Sequence, residues 1–166
     1  MPLYSHGPDG QLAASTATMA AQYTAAGKIF SAGTGLLSTQ RDYVRFTQML
    51  LNGGTLDGHR VLKAETVKLM FANHLEPALL PVHLVPGWPQ GTYGFGYGGA
   101  VRVDSSADVP GSVGTFRWVG SATTAFFVDP KLDIAAMYFT QVIGLKDPGG
   151  LDNTFQRVVY AALIRR

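Results

Sequence analysis

Acyl transfer on a side chain needs a nucleophile with a base beside it, and residues able to form such a pair are scarce in this chain. There is no cysteine, which excludes a thiolate nucleophile, a thiolate metal site and any disulfide. No Gly-x-Ser-x-Gly is present, no serine is followed three residues later by lysine, and neither Tyr-x-Asn nor Ser-x-Asn occurs. Ser38 has Arg41 at the Ser-x-x-Lys spacing, but a guanidinium stays protonated and takes up no proton. If the chain belongs to an enzyme, it is expected to be one part of it and inactive alone.

Other chemistry is equally sparse. His6, His59, His74 and His83 are dispersed, with no His-Glu-x-x-His spacing, so no metal site is expected. Asp129 and Asp133 flank a turn, where aspartate commonly bonds nearby backbone. Gly94-x-Gly96-x-x-Gly99 matches a dinucleotide fingerprint in form. That fingerprint must lead into a helix N-terminus, whereas here it runs into the strand-like Ala100 to Asp104. No cofactor is expected. One stretch keeps a functional reading: Trp118-Val119-Gly120-Ser121. On a strand, Trp118 and Gly120 share a face, so bare backbone lies beside a bulky wall. The same pattern also suits a core tryptophan with a glycine making room for a neighbour.

The elements that must hold these residues are read from period and punctuation. Residues 1–33 are small and polar with no sustained period, an irregular lead-in. Ser38 or Thr39 caps a helix, with Asp42 completing a capping box. Tyr43, Phe46, Met49 and Leu50 follow at helical spacing until Asn52-Gly53-Gly54 stops the run. A turn at Leu56-Asp57-Gly58-His59 leads to a second helix around Ala64 to Ala72, with Val67, Met70 and Phe71 inward. Residues 73–91 carry four prolines and form a long loop, of the kind that is often functional. From Thr92 the period moves toward two. Residues 93–103 read as one bent or bulged strand. Strands at Thr115 to Ser121, Thr124 to Asp129 and Ile134 to Gln141 make an antiparallel meander. Asp152 or Asn153 caps a final helix bearing Phe155, Val158, Val159, Ala162 and Leu163. The expected fold is α+β, an antiparallel meander packed with a C-terminal helix and preceded by a small helical segment. Residues 1–91 form the helical part and 92–166 the sheet part.

With 166 residues, 46% of them hydrophobic and 14% charged, the chain can bury a sizeable core. The formal net charge is +2 and no Lys/Arg run is present, which argues against nucleic acid as a partner. No apolar run reaches the roughly 20 residues of a membrane helix. Residues 1–7 lack a signal-peptide pattern, and the compartment is left open.

Three stretches together resemble the C-terminal half of the penicillin-recognising serine hydrolases: class C β-lactamases, D-alanyl-D-alanine carboxypeptidases and β-lactamase-like esterases. They are Ser31 to Gly54, Val61 to Met70, and Gly111 to Gln141 with its Val128-Asp129-Pro130-Lys131 turn. The resemblance covers residues 31–163, roughly. It implies a partial β-lactamase/transpeptidase-like fold acting on ester or amide bonds through an acyl-enzyme. That family uses Ser-x-x-Lys, then Tyr-x-Asn or Ser-x-Asn, then an edge-strand motif reading Lys-Thr-Gly, His-x-Gly or, in the esterase-like branch, Trp-x-Gly. Only the third has a counterpart here, Trp118-Val119-Gly120.

By that resemblance, Trp118 and Gly120 would bind substrate, and the backbone N–H of Ser121 would be one of two oxyanion donors. A substrate could also pair with the strand's open edge. The first two motifs would lie before Met1. The implied partners are a missing N-terminal half of the hydrolase and, in the complete enzyme, a small ester or amide; tryptophan in the third motif tilts this toward esters. The alternative is a non-catalytic binding module, or one that self-associates through an exposed sheet edge.

Overall fold

The computed structural model describes residues 2–15, 36–80, 82–105 and 108–163. Part of the expected lead-in (16–33) and the glycine-rich stretch 31–35 lie outside the described residues.

Helix α1 (Gln40–Leu51) begins where its capping box sets it. The Thr39 hydroxyl accepts the Asp42 N–H at 3.1 Å and donates to the Asp42 carboxylate at 2.7 Å, closing one of the donors a helix start leaves open. It stops at Gly53 and Gly54, whose φ of 61° and 94° suits glycine. Met49 and Leu50 are buried, and α1 lies against the sheet strands described below. A hairpin of β3 (Thr55–Leu56) and β4 (His59–Arg60) follows, with Asp57 and Gly58 both at positive φ as a two-residue primed turn requires. Helix α2 (Ala64–Met70) buries Val67.

The largest sheet has the order β5 (Tyr93–Phe95), β6 (Ala100–Arg102), β7 (Phe116–Gly120), β8 (Thr124–Asp129), β9 (Ile134–Tyr138), antiparallel throughout. The meander thus agrees with the turn signals. The expected single bent strand over 93–103 is instead a tight hairpin. The Gly96 N–H donates to the Gly99 carbonyl at 2.8 Å, and Gly98 sits at φ 86°. Here the glycines reverse the chain.

Asp129 fixes the β8–β9 turn by accepting the Lys131 and Leu132 N–H groups on one oxygen. Its other oxygen accepts the Ser112 N–H at 3.1 Å and the Tyr160 hydroxyl at 2.7 Å.

Two further corrections concern the chain's ends. Residues 4–14, expected as irregular, form a hairpin of β1 (Tyr4–His6) and β2 (Leu12–Ala14). β1 also pairs in parallel with β10 (Val142–Ile143). The last helix, α3 (Pro148–Leu163), starts earlier than Asp152. The residue beside its start is Asp147, whose carboxylate accepts the Gly150 N–H at 2.8 Å. Asp152 lies inside the helix, buried against the sheet.

One core cluster joins Met49, Leu50 and Val67 to Val101, Phe116, Phe126 and Val128, between the first two helices and the sheet. On α3's side, Tyr160 stacks on Phe127 with centroids 5.4 Å apart. No helix among the described residues is long and apolar enough to cross a membrane.

Candidate active-site wall

The alternation of β7 sends Phe116, Trp118 and Gly120 to one face and Arg117 and Val119 to the other. The strand pairs with β8 along its whole length, from Phe116↔Val128 to Gly120↔Thr124. Its other edge pairs with β6 only at Phe116 and Arg117. From Trp118 onward that edge has no strand partner among the described residues. The loop before β5 packs there instead, with Leu84, Val85 and Trp88 in a cluster that includes Trp118 and Val119. Trp118 is held edge-on by Phe95, centroids 5.3 Å apart, and by Trp88 at 6.4 Å.

Gly120 is exposed, and a side chain there would collide with the Thr124 hydroxyl. Ser121 is exposed in the β7–β8 turn, and none of the described residues accepts its N–H. The turn itself is well anchored. The Thr123 N–H donates to the Gly120 carbonyl at 3.0 Å, and the Thr123 hydroxyl donates to the Val142 carbonyl at 2.8 Å. The Thr140 hydroxyl reaches the Ala122 carbonyl at 2.7 Å.

Two hollows flank Gly120. One, of about 130 Å³, is walled by Tyr43, Trp118, Phe126 and Phe139, on the α1 side. The other, of about 260 Å³, is walled by Val85, Trp88, Tyr138, Leu145 and Pro148, with Ser121 at its border. Burial raises the Tyr43 phenol. Burial, aided by the charge of Asp152, pushes Tyr138 up to about 12. Both shifts favour the neutral phenol over the phenolate. No histidine lines either hollow.

Beneath the larger hollow, Arg117 has a fully buried side chain. It pairs with the Asp152 carboxylate, donates to the Tyr93 hydroxyl at 2.7 Å and lies 4.0 Å from the centre of the Trp88 ring. Burial raises the Asp152 carboxyl, while Arg117 pulls it back toward the charged form. A Gly87–Gly149 backbone contact and the Asn153 amide donating to the Gly87 carbonyl at 3.0 Å hold the loop on the start of α3.

Trp118, Gly120 and Ser121, singled out in the sequence, thus stand together at one strand end. The sequence did not single out Tyr43, Phe139, Trp88, Leu145 or Pro148 for this place. Only the long proline-bearing loop hinted at Trp88; the others arrive from elements distant in sequence, and no local pattern marks them.

The model of the Beta-lactamase family matches residues 2–161. The chain belongs to that family. The match extends to the first hairpin, beyond the stretch whose resemblance starts at residue 31, and the chain corresponds to the C-terminal part of the β-lactamase-like fold. Protein Rv1367c of Mycobacterium tuberculosis is 39% identical over 117 residues, which are 67% of this chain and 29% of that protein. Acyltransferase calJ of Penicillium decumbens is 25% identical over 127 residues, 70% of this chain and 29% of its own length.

Among solved structures, a simvastatin synthase (LovD) mutant from Aspergillus terreus superposes with TM-score 0.81 at 24% identity, over 99% of this chain and 42% of that one. EstCE1, a hydrolase with promiscuous acyltransferase activity, gives 0.71 at 22% identity, over 96% and 43%. These likenesses establish the fold. The chain spans less than half the length of each of these relatives.

Proposed function

We propose that this chain supplies the oxyanion-side wall of a β-lactamase-family serine hydrolase or acyltransferase, and that the nucleophile lies outside these 166 residues. The observation that carries this reading is the end of β7. There an exposed Gly120 and an uncommitted Ser121 N–H sit beside Trp118, on a strand edge that β6 leaves uncovered. In this role the Ser121 N–H donates to the developing oxyanion, Gly120 lets the acyl group approach backbone, and Trp118 walls it in. Among the described residues neither hollow is lined by a histidine, lysine, aspartate or glutamate, which supports inactivity of the chain alone.

The test is hydrolysis of p-nitrophenyl acetate by this chain and by the same chain expressed with its upstream coding sequence. The expected result is turnover only in the longer protein, abolished by a serine-directed phosphonate and lost on Gly120→Val. Phosphonate-sensitive turnover by this chain alone overturns the reading. A second reading, a self-associating module, draws on β9 as the last strand of the sheet and on the exposed Val44 and Phe46 of α1. Absence of turnover in both proteins favours it.

A further inference from the structure

On the reading of β7 as the substrate-side strand, we propose that Arg117 and Asp152 are positioning residues for its open edge. Their buried pair seats Trp88, and Trp88 holds the loop 82–91 over that edge as a strap able to lift while the sheet stays folded.

The strap lies where β6 stops. Beyond Arg117 the edge of β7 is covered by Leu84, Val85 and Trp88, which pack with Trp118 and Val119. Among the described residues, 82–91 neither donate a backbone hydrogen bond to β7 nor accept one from it. A strand in that place would be fixed by a backbone ladder, whereas a loop held by side chains separates on losing a few contacts. The polar tie of the loop runs to α3 instead. The Gly87 carbonyl accepts from the Asn153 amide at 3.0 Å, and Gly87, at φ 84°, contacts Gly149. Gly91, at φ 76°, turns the chain toward β5. Both glycines tolerate the backbone changes that a hinge needs.

The seat of Trp88 is built from charge. Trp88 is 7% exposed, and its ring centre lies 4.0 Å from the Arg117 guanidinium. Asp152 and the Tyr93 hydroxyl, at 2.7 Å, fix that guanidinium in turn, so the pair decides where the cation stands against the ring. Burial pushes the Asp152 carboxyl up, and Arg117 and the Trp88 indole N–H draw it back toward the charged form. That N–H nevertheless completes no hydrogen bond with a described residue, and neither do Arg117 Nε, Asp152 Oδ1 or Gln156 Nε2. Each of these atoms stays desolvated without a partner, which weakens the seat. Lifting Trp88 lets water reach them and offsets part of the lost contact. The pair therefore places the strap and also limits how firmly it is held.

The test uses this chain, in which Trp118→Phe leaves Trp88 as the only tryptophan. Arg117→Met with Asp152→Leu removes the pair and refills its space, so loop placement is read apart from global stability. Losing the desolvated cation–π seat is expected to raise acrylamide quenching of Trp88 about three-fold. Thermolysin under native conditions is expected to cut before Leu84 or Val85 about ten-fold faster, with the site read by intact mass. Trp88→Leu keeps the pair and is expected to speed the same cut, so it decides the matter if the double variant does not fold. Unchanged shielding of Trp88 in a folded double variant, or no faster cutting in Trp88→Leu, overturns the proposal. Cuts in the loop that appear only together with loss of the circular dichroism of the sheet overturn it as well. None of these readouts needs turnover, so a longer protein without esterase activity would sink the hydrolase reading alone.

Discussion

Asp152→Ala is the most demanding test of how the wall is held. The change removes the carboxylate that faces Arg117, whose side chain is 0% exposed against 2% for Asp152. Arg117 would keep the Tyr93 hydroxyl and the Trp88 ring but no counter-charge. Breaking one side of a buried pair costs about 3–5 kcal/mol, because the remaining charge stays desolvated. With a urea m-value of about 2 kcal/mol/M, the unfolding midpoint should fall by about 2 M.

The pair Arg45–Asp57 provides an internal control, since its side chains are 54% and 62% exposed. Arg45→Ala should cost below about 1 kcal/mol. The double change Arg117→Met with Asp152→Leu should recover most of the lost stability, because it removes both charges at once. Urea unfolding followed by circular dichroism reads all three. The reasoning is refuted if Asp152→Ala costs no more than Arg45→Ala, or if the double change is no better than the single one.

Two further expectations concern the scaffold. Gly96→Ala should lower stability by about 1–3 kcal/mol in thermal unfolding, because its Cβ would run into the Met70 carbonyl oxygen and approach Val101 to 2.9 Å. Asp129 should govern the acid limb of stability. Burial pushes its carboxyl up, but the hydrogen bonds from Tyr160, Ser112 and Leu132 outweigh this and hold it below 3.8. A depressed folded value means that the contribution is present above 3.8 and is lost as pH falls through the folded value. Asp129→Asn should therefore flatten stability against pH in that acid window, and an unchanged acid limb would contradict the assignment.

What could be read from the sequence was local. Thr39 and Asp42 form a capping box within four residues, and the 129–133 turn is settled by Asp129 bonding its own neighbours, so both were legible before any contact was known. The misreadings concern distant partners. β1 is three residues long and finds β10 more than 130 positions later, which no period announces. Asp152 resembled a cap because it is a polar residue near a helix start, and only Arg117, from a strand 35 residues earlier, explains its place in the core. The site followed the same rule. Trp118, Gly120 and Ser121 were legible as one short string, whereas the walls formed by Tyr43, Phe139, Trp88 and Leu145 depend on how the chain folds back on itself.

The hairpin of β5 and β6 carries one more implication. Its glycines turn the chain back at the level of Trp118, with Gly99 pressed against the Phe116 ring and the Arg117 carbonyl. The length of that hairpin thus acts as a shutter setting for the strand beside it. Two more residues in each arm would carry β6 toward Val119 and Gly120, where the loop bearing Leu84, Val85 and Trp88 now packs, so a longer hairpin would compete with that loop for the edge. Hairpin length, and not only the identity of the wall residues, thereby sets which segment lies along the edge of the proposed site.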